Sequence, residues 1–204
     1  MFAFAIYDRR RRSLLLVRDP HGIKPLYYAE IEGQWIFGSE IKVIAATSGF
    51  RGRLDRQACY DFLALGYVPE PASGFAGVSA LPKGSTLLIE SRGTTSGRFF
   101  DLRVRPQDNL SMEDAVDATE AALLSAARDQ SRADVPVAAL LSGGIDSSLV
   151  VAAFCRTAAG APSTFNVRFP ESGFDETGMA LAVARHYGTR HHTVDVDDSV
   201  LSPD

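Results

Sequence analysis

The chain has 204 residues, 46% of them hydrophobic and 23% charged, which bounds it to one or two globular domains and excludes a disordered composition. A net charge of −4 supplies no long-range field for nucleic acid or for an anionic membrane surface. No apolar run approaches the ~20 residues of a membrane span and no secretory leader pattern is found, so the expected setting is cytoplasmic and reducing, with no nucleic-acid or membrane partner.

The first hundred residues read as short strands and turns. "FAFAIYD" and "SLLLVRD" are strand-like and flank Arg9, Arg10, Arg11 and Arg12. That run reads as a solvated hairpin turn rather than a phosphate or RNA patch, because no aromatic residue interleaves with it. "LYYAEIE" and "QWIFGSE" follow, separated from the first pair by "DPHGIKP" and from each other at Gly33. Short helices are expected at "EIKVIAAT" and "LDRQACYDFLALGY". A further hairpin is expected from "KGSTLLIES" through a Gly-rich turn to "GRFFDL". Cys59 and Cys155, the two cysteines, sit in helix-like patterns and read as buried core thiols rather than a disulfide or metal pair.

After a polar linker over residues 102–110 the pattern changes. Ser111 has the character of an N-cap, with Glu113 and Asp114 in the first turn, and "MEDAVDATEAALLSAARDQS" has helical spacing. "VPVAALL" is a continuous apolar run, the pattern of a strand buried on both faces. Then come a glycine stretch and the helix "SSLVVAAFCRTA", the strand "PSTFNVRF", the helix "DETGMALAVARHYG" and the strand "RHHTVDV". Strand, helix, strand, helix, strand predicts a parallel sheet with right-handed crossovers. Asp175 reads as a cap for the last helix rather than a ligand contact. His186, His191 and His192 lack a Cys or carboxylate at ligand spacing, which argues against a metal cluster.

The stretch "SGGIDSS" between strand and helix carries the chemistry. In an α/β unit that loop lies at the ligand-binding edge of the sheet. The helix start leaves backbone N–H groups unpaired and adds partial positive charge. Glycines admit an anion close to the backbone, and the Ser142, Ser147 and Ser148 hydroxyls add donors, which together make a phosphate cradle. Asp146 fits beside phosphates if a divalent cation bridges them, since Mg²⁺ combines few carboxylates with phosphate oxygens. No Lys follows the glycines as in a Walker loop, and no G-x-G-x-x-G is present. The loop resembles instead the pyrophosphate-binding loop of the ATP pyrophosphatases.

On "MFAFAIYD", "RDPHGIKPLYY", "GSEIKVIAA", "FLALGYVPEPASGFAGVSALPKGSTLLI", "DVPVAALLSGGIDSSLV" and "STFNVRFPESGFDETGMALAVARHYGTRHHTVDV", the chain resembles the glutamine-hydrolysing asparagine synthetases over nearly its whole length. The resemblance implies an α+β, glutaminase-type antiparallel portion followed by an α/β, Rossmann-like parallel-sheet portion of the ATP-pyrophosphatase kind. It implies the C-terminal part of a class II glutamine amidotransferase domain over 1–101, a linker over 102–110 and the N-terminal part of a synthetase domain over 111–204.

In that family glutamine-derived ammonia attacks an aspartate carboxylate activated by ATP as an acyl-adenylate, so ATP, aspartate, ammonia and Mg²⁺ are the implied substrates and cofactors. Leu140 and Val167 match positions along the nucleotide, the latter meeting adenine through its backbone. Ser142, Gly143, Gly144, Asp146, Ser147 and Ser148 match the pyrophosphate loop, with Asp146 the magnesium-associated residue. The family's N-terminal cysteine nucleophile has no counterpart here, so no catalytic glutaminase residue is expected. The glutamine-binding segments and the second Ser-Gly-Glu loop are unmatched as well. The expectation is an internal fragment that does not complete catalysis alone and that self-associates through unpaired sheet surface. Two further readings stay open: another ATP-pyrophosphatase amidoligase, such as a β-lactam synthetase-like enzyme or a peptide or sugar amidotransferase, and a non-catalytic nucleotide-binding or interaction module.

Overall fold

Apolar residues along Ser13–Arg18 and Ser85–Glu90 set the first core. In the computed structural model, which describes residues 1–104, 106, 110–158, 160–168 and 175–196, these two strands are neighbours in one sheet. Part of the expected linker, the "ESGF" stretch and the terminal "SVLSPD" fall outside the described residues. Contacts divide the chain into two compact units, Met1–Arg105 and Pro106–Asp204.

The first unit holds β1 (Ala3–Asp8), β2 (Ser13–Arg18), β3 (Tyr27–Ile31), β4 (Gln34–Gly38), α1 (Ile41–Ala45), α2 (Arg56–Leu65), β5 (Val78–Ala80), β6 (Ser85–Glu90) and β7 (Gly93–Arg98). They form two antiparallel sheets, ordered β1-β2-β6-β7 and β4-β3-β5. Leu16, Leu26, Leu81, Leu87 and Ile89 make one buried cluster, with Trp35 packed against it. Each such side chain stabilises the fold by about 1.5–3 kcal/mol through burial. Ala29, Ile44 and Val78 centre a second cluster. The Arg run is the exposed β1–β2 turn, in which the Asp8 carboxylate accepts from the Arg10 and Arg11 N–H groups at 2.8 and 3.1 Å.

Two readings of this half are corrected. The last strand of the unit is Gly93–Arg98 rather than "GRFFDL": Glu90 pairs with Gly93, so the turn is only Ser91 and Arg92, and Thr94 and Thr95 continue the ladder. Two-residue loops are the commonest hairpin connection and β-branched threonines suit a pleated surface. The three-residue strand β5 goes unread because its pairing with β3, not its own propensity, makes it a strand.

Asp19, in the "RDPHGIKP" stretch, is an organising residue. It is buried, and its carboxylate accepts N–H bonds from Phe2, His21, Ile23 and Lys24 at 3.4, 3.0, 3.2 and 2.9 Å. Burial alone would raise its pKa. The backbone donors outweigh that and bring it down to about 2. Arg18 beside it ties down the carbonyls of Gly22, Lys24 and Leu81 and pairs with Glu70 at 2.6 Å. The sharp sequence punctuation at this point is therefore a hydrogen-bonded knot.

The second unit holds α3 (Met112–Gln130), β8 (Ala138–Leu140), α4 (Ile145–Thr157), β9 (Ser163–Arg168), α5 (Thr177–Tyr187) and β10 (Arg190–Asp195). Ser111 caps α3, its hydroxyl oxygen accepting from Asp114 N–H at 3.1 Å. The three strands form a parallel sheet, ordered β10-β9-β8. Leu141, Val151, Ala180 and Ala184 make its core, with Ala139, Cys155 and Val183 packed against them. The "VPVAALL" run is not buried on both faces: among the described residues β8 is an edge strand of three residues, and Leu140 is 79% exposed. Among the described residues one sheet face is packed, because α4 and α5 share the core built on Leu141 and Ala139 while Leu140 projects from the opposite side of the pleat. The thiols are half-buried and free rather than fully buried, and burial pushes the Cys155 thiol up.

Candidate functional site

The glycine stretch leaves the C-terminal end of β8. Leu141 is its anchor: it is buried and its N–H donates to the Phe165 carbonyl at 2.8 Å, extending the parallel ladder one step past the strand. The chain then turns at Gly143, whose φ of +87° lies in the left-handed region that glycine tolerates. A Cβ there would stand 2.6 Å from the backbone of Met179 and Ala180 in the first turn of α5. Two α-helix starts therefore meet at this glycine. Gly144 is the N-cap of α4, with φ −66° and ψ 164°, and it lacks a side chain to satisfy the helix N–H groups.

The serines fill part of that role. Ser142 Oγ accepts from Gly144 N–H at 3.3 Å and lies 2.9 Å from Ser147 Oγ, which in turn donates to the Gly144 carbonyl at 3.2 Å. Ser142 and Asp146 are exposed, while Ser147 and Ser148 are half-buried. The arrangement is an open cradle of backbone N–H groups at the start of a 13-residue helix, backed by hydroxyls that can turn outward to an anion. Among the described residues no group of three or more His, Cys, Asp or Glu could hold a metal ion. A divalent cation would thus need phosphate oxygens alongside the single Asp146 carboxylate, a donor set that suits Mg²⁺.

Leu140 and Val167 alternate with residues that face the helices, so both project from the open face of the sheet. Val167 is 43% exposed and lies two positions beyond Phe165, the register partner of Leu140. The structure brings Ser142, Gly143, Gly144, Asp146, Ser147 and Ser148 into one loop and helix turn, and sets Leu140 and Val167 along the sheet face beside it.

The other sequence candidates have local partners. Asp175 accepts from Thr177 N–H at 3.0 Å, and bonds from the Thr177 side chain and backbone hold its carboxyl below the usual range. The three histidines make separate contacts. His186 meets Tyr187 edge-on, His192 stacks on Phe165 at 4.9 Å, and His191 is engaged at both ring nitrogens. Arg168 and Asp195, register partners at the ends of β9 and β10, form an ion pair at 2.5 Å.

A polar network behind the loop escapes sequence reading. Thr164 and Asn166 on β9 are buried and point toward the helices. Asn166 Nδ2 donates to Thr177 Oγ1 at 2.8 Å, and Asn166 Oδ1 accepts from Thr193 at 2.8 Å and from His191 Nε2 at 3.0 Å. Thr164 Oγ1 lies 2.9 Å from His191 Nδ1 and 2.8 Å from Thr189 Oγ1. Its sequence signal is the alternation of Thr164 with Asn166 and of His191 with Thr193, polar residues at strand period where a packed face calls for apolar ones.

Residues 1–100 match the family described as glutamine amidotransferase domain, and residues 118–202 match asparagine synthase. The chain is 32% identical to asparagine synthetase [glutamine-hydrolyzing] 1 of Bacillus subtilis over 100% of its length and 31% of the relative's. It is 33% identical to asparagine synthetase [glutamine-hydrolyzing] 3 of the same organism, over 74% of this chain and 25% of that one. The amidase chyE of Penicillium rubens is 33% identical over 98% of this chain and 32% of its own length. The chain thus spans about a third or less of the curated relatives it matches. With amidotransferase-type sequence on the antiparallel sheets and synthase-type sequence on the parallel one, the chain belongs to the family of glutamine-hydrolysing asparagine synthetases.

Proposed function

We propose that the second unit is the start of an ATP-pyrophosphatase, Rossmann-like ligase domain in which Ser142–Ser148 binds the pyrophosphate part of ATP. The observation that carries this is Gly143: a left-handed glycine at the C-terminal edge of a parallel sheet, directly before a helix whose first N–H groups lack a side-chain cap. Backbone N–H groups of the first turn of α4 and the hydroxyls of Ser142, Ser147 and Ser148 stabilise the phosphate charge. Asp146 is the residue that would hold a Mg²⁺ ion, which would supply neutralisation of phosphate charge there. Leu140 and Val167 flank the nucleoside, Val167 through its backbone.

The reaction is amidation of aspartate. The side-chain carboxylate attacks the α-phosphorus of ATP and releases pyrophosphate, which leaves an acyl-adenylate with AMP as a good leaving group, and ammonia derived from glutamine then displaces AMP. Two free half-buried thiols fit a reducing, cytoplasmic setting. Another amidoligase with a different acceptor is the second reading; a relative named as an amidase matches at the same level of identity.

The test is exchange of labelled pyrophosphate into ATP by the protein in its longest natural form, with aspartate or other carboxylates supplied. Aspartate-dependent exchange supports the synthetase reading. Exchange only with another carboxylate supports the second, and no exchange with any carboxylate refutes both.

A further inference from the structure

We propose that Asn166 is a positioning residue for the Ser142–Gly144 loop, acting through Thr177 and the first turn of α5. The bonds run in one direction. Because Asn166 donates through Nδ2 to Thr177, its Oδ1 must accept from Thr193 O–H and His191 Nε2–H. His191 Nδ1 then accepts from Thr164 O–H, and Thr164 Oγ1 accepts from Thr189 O–H. Three of the four hydrogen-bonding positions of the Asn166 amide are thereby used, in a residue that is only 4% exposed.

This fixes where α5 begins. Thr177 is the first residue of α5, and it is held from one side by Asn166 and from the other by the Asp175 carboxylate on its N–H. Met179 and Ala180, in the same turn, form the wall against which Gly143 closes with no room for a Cβ. A shift of the α5 start of well under an ångström therefore has to be taken up by the loop. Packed interiors pass on such displacements rather than absorbing them. Among the described residues no hydrogen bond joins the Asn166 or Thr177 side chain to Ser142–Ser148; their influence is transmitted through α5. The geometry stands without assigning a ligand, but its consequence for nucleotide affinity rests on the function proposed above.

The test compares Thr177→Val, which keeps shape and leaves the buried Asn166 amide without its acceptor, with Thr177→Ser, which restores the hydroxyl. Amide hydrogen exchange of the whole chain is followed at Leu141, Gly143 and Gly144 and, as a reference, at Val151 in the middle of α4. Thr177→Val is expected to speed exchange at the loop about tenfold relative to Val151. Thr177→Ser should return it to within about threefold of the parent, since the lost methyl alone is worth little. Should Thr177→Val not fold, Thr193→Val removes one donor to Asn166 from β10, and loop exchange should rise in the same direction. Loop exchange that stays at the parental rate, or that rises only together with Val151, overturns the proposal. MgATP titrated into the parent chain separates the two readings: absent binding removes the function proposed for the loop, while the exchange result alone decides the role of Asn166.

Discussion

Replacing Gly143 by alanine should cost the second unit more stability than any other single methyl added to its loop. Two terms contribute. At φ +87° an L side chain incurs roughly 1–2 kcal/mol of backbone strain. The new Cβ would also lie 2.6 Å from the backbone of Met179 and Ala180, and helix backbone cannot rotate aside as a side chain would; overpacking of this kind costs about 1–3 kcal/mol. Their sum, about 2–5 kcal/mol, is a large share of the 5–15 kcal/mol typical of a whole domain. Two glycines serve as controls. Gly144 has φ −66° and a Cβ there meets only Ser142 Oγ, at 3.5 Å, so Gly144→Ala should lose no more than about 1 kcal/mol from a weaker N-cap. Gly188 has φ +64° with nothing within 4 Å, so Gly188→Ala isolates the strain at about 1–2 kcal/mol. Urea unfolding followed by far-ultraviolet circular dichroism, with amide exchange in α4 as a second probe, measures all three. If Gly143→Ala proves no more destabilising than Gly188→Ala, the close approach of α5 to the loop is wrong.

Asp19→Ala should destabilise the first unit by about 2–4 kcal/mol, because four backbone N–H groups lose their acceptor; urea unfolding read from Trp35 fluorescence checks this, and a loss under 1 kcal/mol would contradict it. The same carboxyl gives an acid signature. Its folded pKa of about 2 is below the ordinary 3.8, so its stabilisation is present above pH 3.8 and is lost as pH falls through about 2. An Asp19→Asn variant that unfolds in acid as steeply as the parent would refute that assignment. His191 gives the second unit a separate dependence. Burial first, then the neighbouring His192, lowers its pKa below 6.5, so the neutral ring's contribution is present above pH 6.5 and declines as pH falls below it through the folded value. Stability measured between pH 5 and 8 should rise with pH in the parent and lose that slope in His191→Gln.

Much of the second unit is legible because its signals are local. Ser111 followed by Glu113 and Asp114 announces α3, and the small polar run after an apolar one marks the loop at Gly143. Less legible is anything set by distant partners. Val78–Ala80 is a strand only because Ala29 and its neighbours offer a ladder. Leu140 belongs to an apolar run yet lies exposed, since the run says nothing about which face is covered. Asn166, His191 and Thr177 come together only when β9, β10 and α5 are assembled, and a buried asparagine looks like any other asparagine in a sequence. Arg18 and Asp19 lie in an evident turn, but their burial depends on Phe2, Glu70 and Leu81, up to 63 positions away.

Calorimetric titration of MgATP into the chain and into Asp146→Ala tests the nucleotide site most directly. Saturable one-to-one binding by the parent, weakened at least about tenfold by the substitution and insensitive to it once Mg²⁺ is chelated, is the expected result. Equal affinity of the two proteins for MgATP, or no binding by the parent, would contradict the assignment of Ser142–Ser148 as a metal-assisted pyrophosphate loop.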